Sequence, residues 1–199
     1  MAAVQARIAE IDGMFSTPAP KTTRSSPSAK TDFASLLADA SGTSGATTPA
    51  VPNGTSQLAQ QFLQTALAEK GKPYVYGATA NTNDPDPKAF DCSELTKWAA
   101  ARVGVTIPDG ATAQYLYTRD HGTTMSVDQA LHTPGALLFH FGHEPKNLGD
   151  IPADGHVAIS LGDGVHTIEA RGHKYGTNIF DATGNRAGFF NFAGMIPGM

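Results

Sequence analysis

The chain has 199 residues, with 14 basic and 18 acidic side chains and a formal net charge of −4. No basic patch stands out, which argues against a nucleic-acid partner. A single cysteine excludes an internal disulfide framework and a multi-cysteine zinc site, and no apolar run approaches the ~20 residues needed to span a bilayer.

The opening stretch, MAAVQARIAEIDGMF, lacks a basic n-region, a continuous apolar h-region and a small-residue cleavage site. No signal peptide is therefore expected, and delivery outside the cytoplasm would need another route. Residues 1–55 include STPAPKTTRSSPSAK and SGTSGATTPAVPNGTS, too poor in apolar side chains to offset chain entropy; they read as a disordered tail and linker. Two islands interrupt them at helical spacing: Val4, Ile8, Ile11 and Phe15, then Phe33, Leu36, Leu37 and Ala40, with Asp32 as a candidate cap. Each is too short to be a stable helix alone. They read either as a fraying tail or as docking segments (1–15 and 32–40) for an export apparatus or a phage particle.

From Ser56 the pattern becomes that of a folded domain, 56–199. SQLAQQFLQTALAEKG predicts a helix with Ser56 as N-cap and Gly71 just past its end. KPYVYGAT predicts an extended segment or turn, and NTNDPDPKAF a loop. In FDCSELTKWAA, Asp91 and Glu94 have capping-box spacing, Leu95, Trp98, Ala99 and Val103 share a face, and Gly104 can close the helix. The section after it is polar. GALLFHFG, HVAISLGDG and VHTIEARG predict strands separated by turns, with GTNIF and FFNFAGMI adding more, and the Asp-Gly in LGDGVH favours a tight hairpin. Helix, helix and then a run of strands predicts an α+β fold, with helices on a small antiparallel sheet or open barrel.

Cys92 falls in the first turn of its predicted helix, where the dipole and free N–H groups stabilise a thiolate. A nucleophile there needs a base, and the base an orienting partner. Of seven histidines, His156 opens the strand HVAISLG and would be held rigidly at the end of the sheet. A turn centred near Asp163-Gly164 puts the partner of His156 near residue 170, so Glu169 can accept a hydrogen bond from its far ring nitrogen. Against this stand plainer readings: free cysteines are usually inert core residues, and strand-edge histidines and isolated glutamates are usually surface groups.

DCSELTKWAA, PGALLFHF, GHVAISLGDGVHTIEARG and, upstream, PYVYGA at 73–78 together resemble the NlpC-type family of papain-like cysteine peptidases, which cut bacterial cell-wall peptides. The resemblance covers roughly residues 56–199, and FAGMIPGM is similar to the tail of actinobacterial and phage cell-wall hydrolases. It implies Cys92 as nucleophile, His156 as base and, in place of the usual histidine of the next strand, Glu169 as the third group, with one extra residue in the hairpin. Tyr74 matches the site tyrosine, and Asp91 and Ser93 match residues that contact the free amine of the stem peptide. His166 and His173 are alternatives for the third position.

The departures are Glu94 for a glycine, where it would narrow or charge the groove, Ala136 for an aspartate, Tyr76 for a tryptophan, Ala78 for a glycine and Asp109 for an arginine. The His140/His143 pair lacks a carboxylate at a fitting spacing for a metal site. The loop carboxylates Asp84 and Asp86 lack the alternation of an EF-hand.

The implied activity is an endopeptidase acting on peptidoglycan stem peptides, at the D-γ-glutamyl–diamino acid bond, with no cofactor or metal. It would act outside the cytoplasm at the cell wall, or on a virion. Two rivals use the same residues differently: an acyl or amide transferase, and a wall-binding or structural module of a phage tail or secretion apparatus with a vestigial site.

Overall fold

The computed structural model describes residues 56–199. The expectations for the tail, including the segments 1–15 and 32–40, lie outside the described residues.

Helix α1 (Gln57–Ala68) starts where Ser56 Oγ accepts the Ala59 N–H at 3.1 Å, and it buries Ala59, Phe62, Leu63 and Ala66 along one face. The chain then runs through an extended segment in which Tyr74 pairs in parallel with Phe90, through Val75 N–H to Phe90 O (3.0 Å) and Phe90 N–H to Pro73 O (3.1 Å). Helix α2 (Cys92–Arg102) follows at once, so the segment that carries Tyr74 is tied beside the start of α2.

The polar section after α2 departs from expectation. It holds helix α3 (Ala111–His121), a short strand β1 (Thr123–Met125) and helix α4 (Val127–Leu131). The buried face of α3 carries Thr112, Gln114 and Thr118 beside Tyr115 and Leu116, so it has little apolar period to read. Gln114 is satisfied inside: it donates to Ser93 O (2.8 Å) and Pro108 O (3.2 Å) and accepts from Thr96 Oγ1 (2.6 Å).

The expected strands are present as β2 (Leu137–His140), β3 (His156–Ser160), β4 (His166–Ala170), β5 (Thr177–Asp181) and β6 (Phe192–Met195), with a single turn of helix, α5 (Gly172–Tyr175), before β5. With β1 they form a six-stranded sheet in the order β1-β6-β2-β3-β4-β5, and every pairing is antiparallel. The fold is α+β, as the sequence pattern predicts.

Both faces of the sheet are covered. Val157 and Ile159 of β3, with Leu137, Phe139 and Ile168, pack on Phe62, Leu95 and Trp98 of the helices. Ala158, Leu138 and Ala193 point the other way, to a second cluster with Leu131 of α4 and Phe190 of the β5–β6 connection. In the β3–β4 hairpin, Asp163 Oδ1 accepts the N–H groups of Val165 (2.9 Å) and His166 (2.7 Å), between Gly162 and Gly164, both at positive φ. That turn fixes the register Ile159↔Ile168 and Ser160↔Thr167.

Candidate active site

The head of α2 is organised by Asp91. Its Oδ1 accepts the Glu94 N–H at 2.8 Å as a helix cap and the Ser93 hydroxyl at 2.9 Å. The capping box is only half made: the Glu94 carboxylate turns away and accepts from Ala80 N–H (2.8 Å) and Lys97 Nζ (3.1 Å). Capping of the third N–H leaves the Cys92 N–H, at the first helical position, without an intrahelical acceptor.

His156 opens β3. Extending the hairpin register puts residue 171 opposite it, so Glu169 is its diagonal neighbour on the same face. His156 Nε2 donates to Glu169 Oε2 at 2.5 Å. Nδ1 is then the ring nitrogen left to serve Cys92. Burial works against a charged imidazole, but the interactions with Cys92 and with Glu169 outweigh it and raise the His156 pKa to about 9. Burial likewise opposes ionisation of Glu169, which is 1% exposed; His156 and then Arg186 outweigh it and hold its pKa at about 2. With an ionised acceptor on Nε2, the tautomer is settled: the proton sits on Nε2 and Nδ1 is free to exchange one with the thiol.

The alternatives for the third position lie elsewhere. His166 Nδ1 bonds Asp163 Oδ2 at 2.6 Å in the hairpin turn, and the His173 ring stands edge-on to Tyr74 at 5.7 Å. His140 and His143 pair with Asp154 (3.6 Å) and Asp150 (2.7 Å) respectively.

Cys92 and His156 open into one groove of about 500 Å³, which Tyr74, Asp91 and Ser93 also line. The six residues singled out from sequence are thus gathered, five on the groove wall and Glu169 behind His156. Burial, with lesser contributions from Cys92 and Asp91, pushes the Tyr74 phenol up to about 12, so it keeps its proton through the neutral range. Among the described residues, the only other charged side chain on the wall is Asp109. Glu94 does not narrow the groove: it is 1% exposed, and burial with the nearby Asp109 raises its pKa to about 7 against the pull of Lys97. The outer rim is apolar, with Tyr76 (83% exposed), Leu148 (67%) and Ile151 (71%). Ala113 and Leu148 also line an adjoining open cavity of about 640 Å³, which none of the six residues reaches.

One residue of this constellation was not found from sequence. Arg186, in the short 3₁₀ turn Gly184–Arg186 of the β5–β6 connection, bonds Glu169 through both terminal nitrogens, at 2.6 and 3.3 Å. Thr167 Oγ1 also donates to Glu169 Oε1 at 2.8 Å. No periodicity marks a lone arginine between Gly, Asn and Ala, and only the demand of a buried carboxylate for a cation could have pointed to it.

Comparison with known proteins places these elements in a family. The model of the NlpC/P60 family matches residues 71–186, more than half of the chain. The chain is 32% identical over 112 residues to a bifunctional muramidase/DL-endopeptidase, CwlT, of Bacillus subtilis, covering 56% of this chain and 29% of that protein. It is 38% identical over 90 residues to a probable endopeptidase of Corynebacterium glutamicum, covering 45% and 37%. The chain thus spans about a third of the length of these curated relatives. Among solved structures, the NlpC/p60 domain of the peptidoglycan hydrolase SagA matches with a TM-score of 0.51 and 28% identity, covering 69% of this chain and 98% of that one.

Proposed function

The chain belongs to the NlpC/P60 family, and from that premise we propose that it is a cysteine endopeptidase of bacterial cell-wall peptides, acting outside the cytoplasm at the wall. Cys92 is the nucleophile, His156 the base and Glu169 the group that orients the base. The observation that carries this reading is the convergence on one groove of a thiol at a helix head and an imidazole whose far nitrogen is bonded to a buried carboxylate. The names of the relatives, an endopeptidase and a peptidoglycan hydrolase among them, support the substrate class.

His156, whose pKa is raised to about 9, takes the proton of the Cys92 thiol and holds it as an imidazolium. Sγ attacks the scissile carbonyl, the C–N bond breaks, and His156 delivers its proton to the leaving amine. Water then cleaves the thioester, with His156 accepting its proton. The free N–H of Cys92 stabilises the oxyanion, and the protonated Tyr74 hydroxyl is a second donor at the same groove. Asp91 and Ser93 take the free amine of the stem peptide, and the bond cut is D-γ-glutamyl to diamino acid.

Mass spectrometry of peptidoglycan and purified muropeptides, after incubation with wild type or Cys92→Ala, tests this. The expected result is loss of the stem peptide beyond D-glutamate with wild type only. Unchanged muropeptides from every wall type would sink the reading.

A further inference from the structure

We propose that Arg186 is a positioning residue of this site: it holds the Glu169 carboxylate fixed and ionised, and so keeps His156 in the orientation that serves Cys92 and sets the pH range in which it does so. The inference deepens the cysteine-hydrolase reading and rests on it, although part of its test does not.

Glu169 has no access to water, and a carboxylate in such a place is stable only if its oxygens are saturated and its charge is met. Each of its oxygens is engaged. Oε1 accepts from Arg186 (2.6 Å) and Thr167 (2.8 Å), and Oε2 from His156 (2.5 Å) and Arg186 (3.3 Å). Without Arg186, the carboxylate would have His156 as its one cation; with it, the buried charge is met from both sides.

The guanidinium is committed to this task. Its side chain is 11% exposed, its terminal nitrogens go to Glu169, and its Nε is buried with no acceptor among the described residues. Phe189 and Phe190 lie under it, at 4.4 and 5.0 Å from ring centroid to the guanidinium carbon. The same two rings flank His156 at 6.1 and 6.4 Å. The β5–β6 connection thus backs both the carboxylate and the imidazole. Arg186 does not line the groove, so its influence on a substrate must pass through Glu169 and His156. The other titratable groups near the imidazole are His140, its cross-strand partner on β2, and Asp154, which lies 3.6 Å from His140 Nε2.

The test compares wild type, Arg186→Met, Arg186→Lys, Glu169→Gln and the double variant Glu169→Gln/Arg186→Met. Two readouts are taken across pH: hydrolysis of a stem-peptide substrate, and the rate at which iodoacetamide alkylates Cys92. Removing a cation raises the pH at which every neighbouring group loses its proton. Both limbs of the Arg186→Met profile should therefore move up, by about one pH unit. Its kcat should fall by about 10- to 100-fold with KM within about two-fold, the size of effect seen when partners that orient a reacting group are removed. Arg186→Lys keeps the charge but not the fork, so its limbs should stay at the wild-type pH with kcat partly restored.

In the Glu169→Gln background, Arg186→Met should cost less than about two-fold more, because the group it acts through is already gone. This arm also decides the matter if Arg186→Met alone does not fold. Limbs that stay put in Arg186→Met, or losses that multiply in the double variant, would overturn the proposal. If wild type cleaves no stem peptide yet the alkylation profile moves as stated, the hydrolase reading falls and the role of Arg186 stands.

Discussion

At the head of α2, Asp91, Cys92 and Ser93 are consecutive residues whose geometry comes from a single helix start, where the Asp91 carboxylate caps the Glu94 N–H and holds the Ser93 hydroxyl. His156, Glu169 and Arg186 are drawn instead from β3, β4 and the β5–β6 connection, and only sheet register and a covering loop bring them together. The first half is local and cheap to build. The second buries a carboxylate between two cations, so its integrity depends on tertiary structure throughout. Damage to the nucleophile half should therefore cost chemistry and little stability, whereas damage to the base half should cost both.

The largest expected effect follows from Cys92→Ala. Hydrolysis should drop by about 10⁶-fold, to background, because the chain's single thiol is gone. Cys92 is only partly buried, so the unfolding free energy should move by less than about 1 kcal/mol. Glu169→Gln attacks the other half. An amide can present its NH₂ to His156 Nε2 and select the wrong tautomer, and in a triad that exchange costs about 10⁴-fold in kcat. It also leaves Arg186 without its countercharge, and breaking a buried pair costs about 3–5 kcal/mol. Kinetics and denaturant unfolding of the two variants, side by side, check the contrast; equal stability losses would erase it.

Acid and base sharpen it further. His156 is raised from 6.5 to about 9, so its contribution to stability is fully present below pH 6.5 and is lost as pH rises through about 9. Glu169 is lowered from 4.5 to about 2, so its contribution is present above pH 4.5 and is lost as pH falls toward about 2. The two shifts share the His156–Glu169 interaction, whose contribution is greatest between pH 4.5 and 6.5. Subtracting the unfolding free energy of Glu169→Gln from that of wild type, pH by pH, should give a curve highest in that window and declining on both sides. Activity should fall on the alkaline side near pH 9, when the imidazole loses the proton owed to the leaving amine.

The same division governs what could be read from sequence. Features written in neighbouring residues were legible: the Ser56 cap of α1, the Asp91 cap of α2, and the five strands from Leu137 onward, which are bounded by turn residues. His156 and Glu169 were legible together because a hairpin converts sequence distance into spatial distance, and Asp163 marks its turn. Helix α3 was not, since its inner face is built of Thr and Gln whose partners, such as Ser93 O for Gln114, lie on another element. The direction of Glu94 was hidden for a like reason: its spacing suits a capping box, but Ala80 and Lys97 offer a buried alternative that outcompetes the helix end. Arg186 carries no local signal, because its reason for being there is a carboxylate on another strand.

The smallest expected effect separates two roles of one side chain. Asp91 caps α2 through Oδ1 and, in the proposed function, carries the charge that meets an amine on the stem peptide. Asparagine caps a helix about as well as aspartate does, since it offers the same acceptor oxygen, whereas alanine offers none. Asp91→Ala should therefore lower stability by about 1 kcal/mol and Asp91→Asn by only a few tenths. Both remove the charge, so both should raise KM for a stem peptide with a free amino terminus. Neither should change KM for the same peptide acetylated there. If Asp91→Asn keeps the wild-type KM for the free amine, the carboxylate serves the helix alone, and amine recognition by the nucleophile half rests on Ser93.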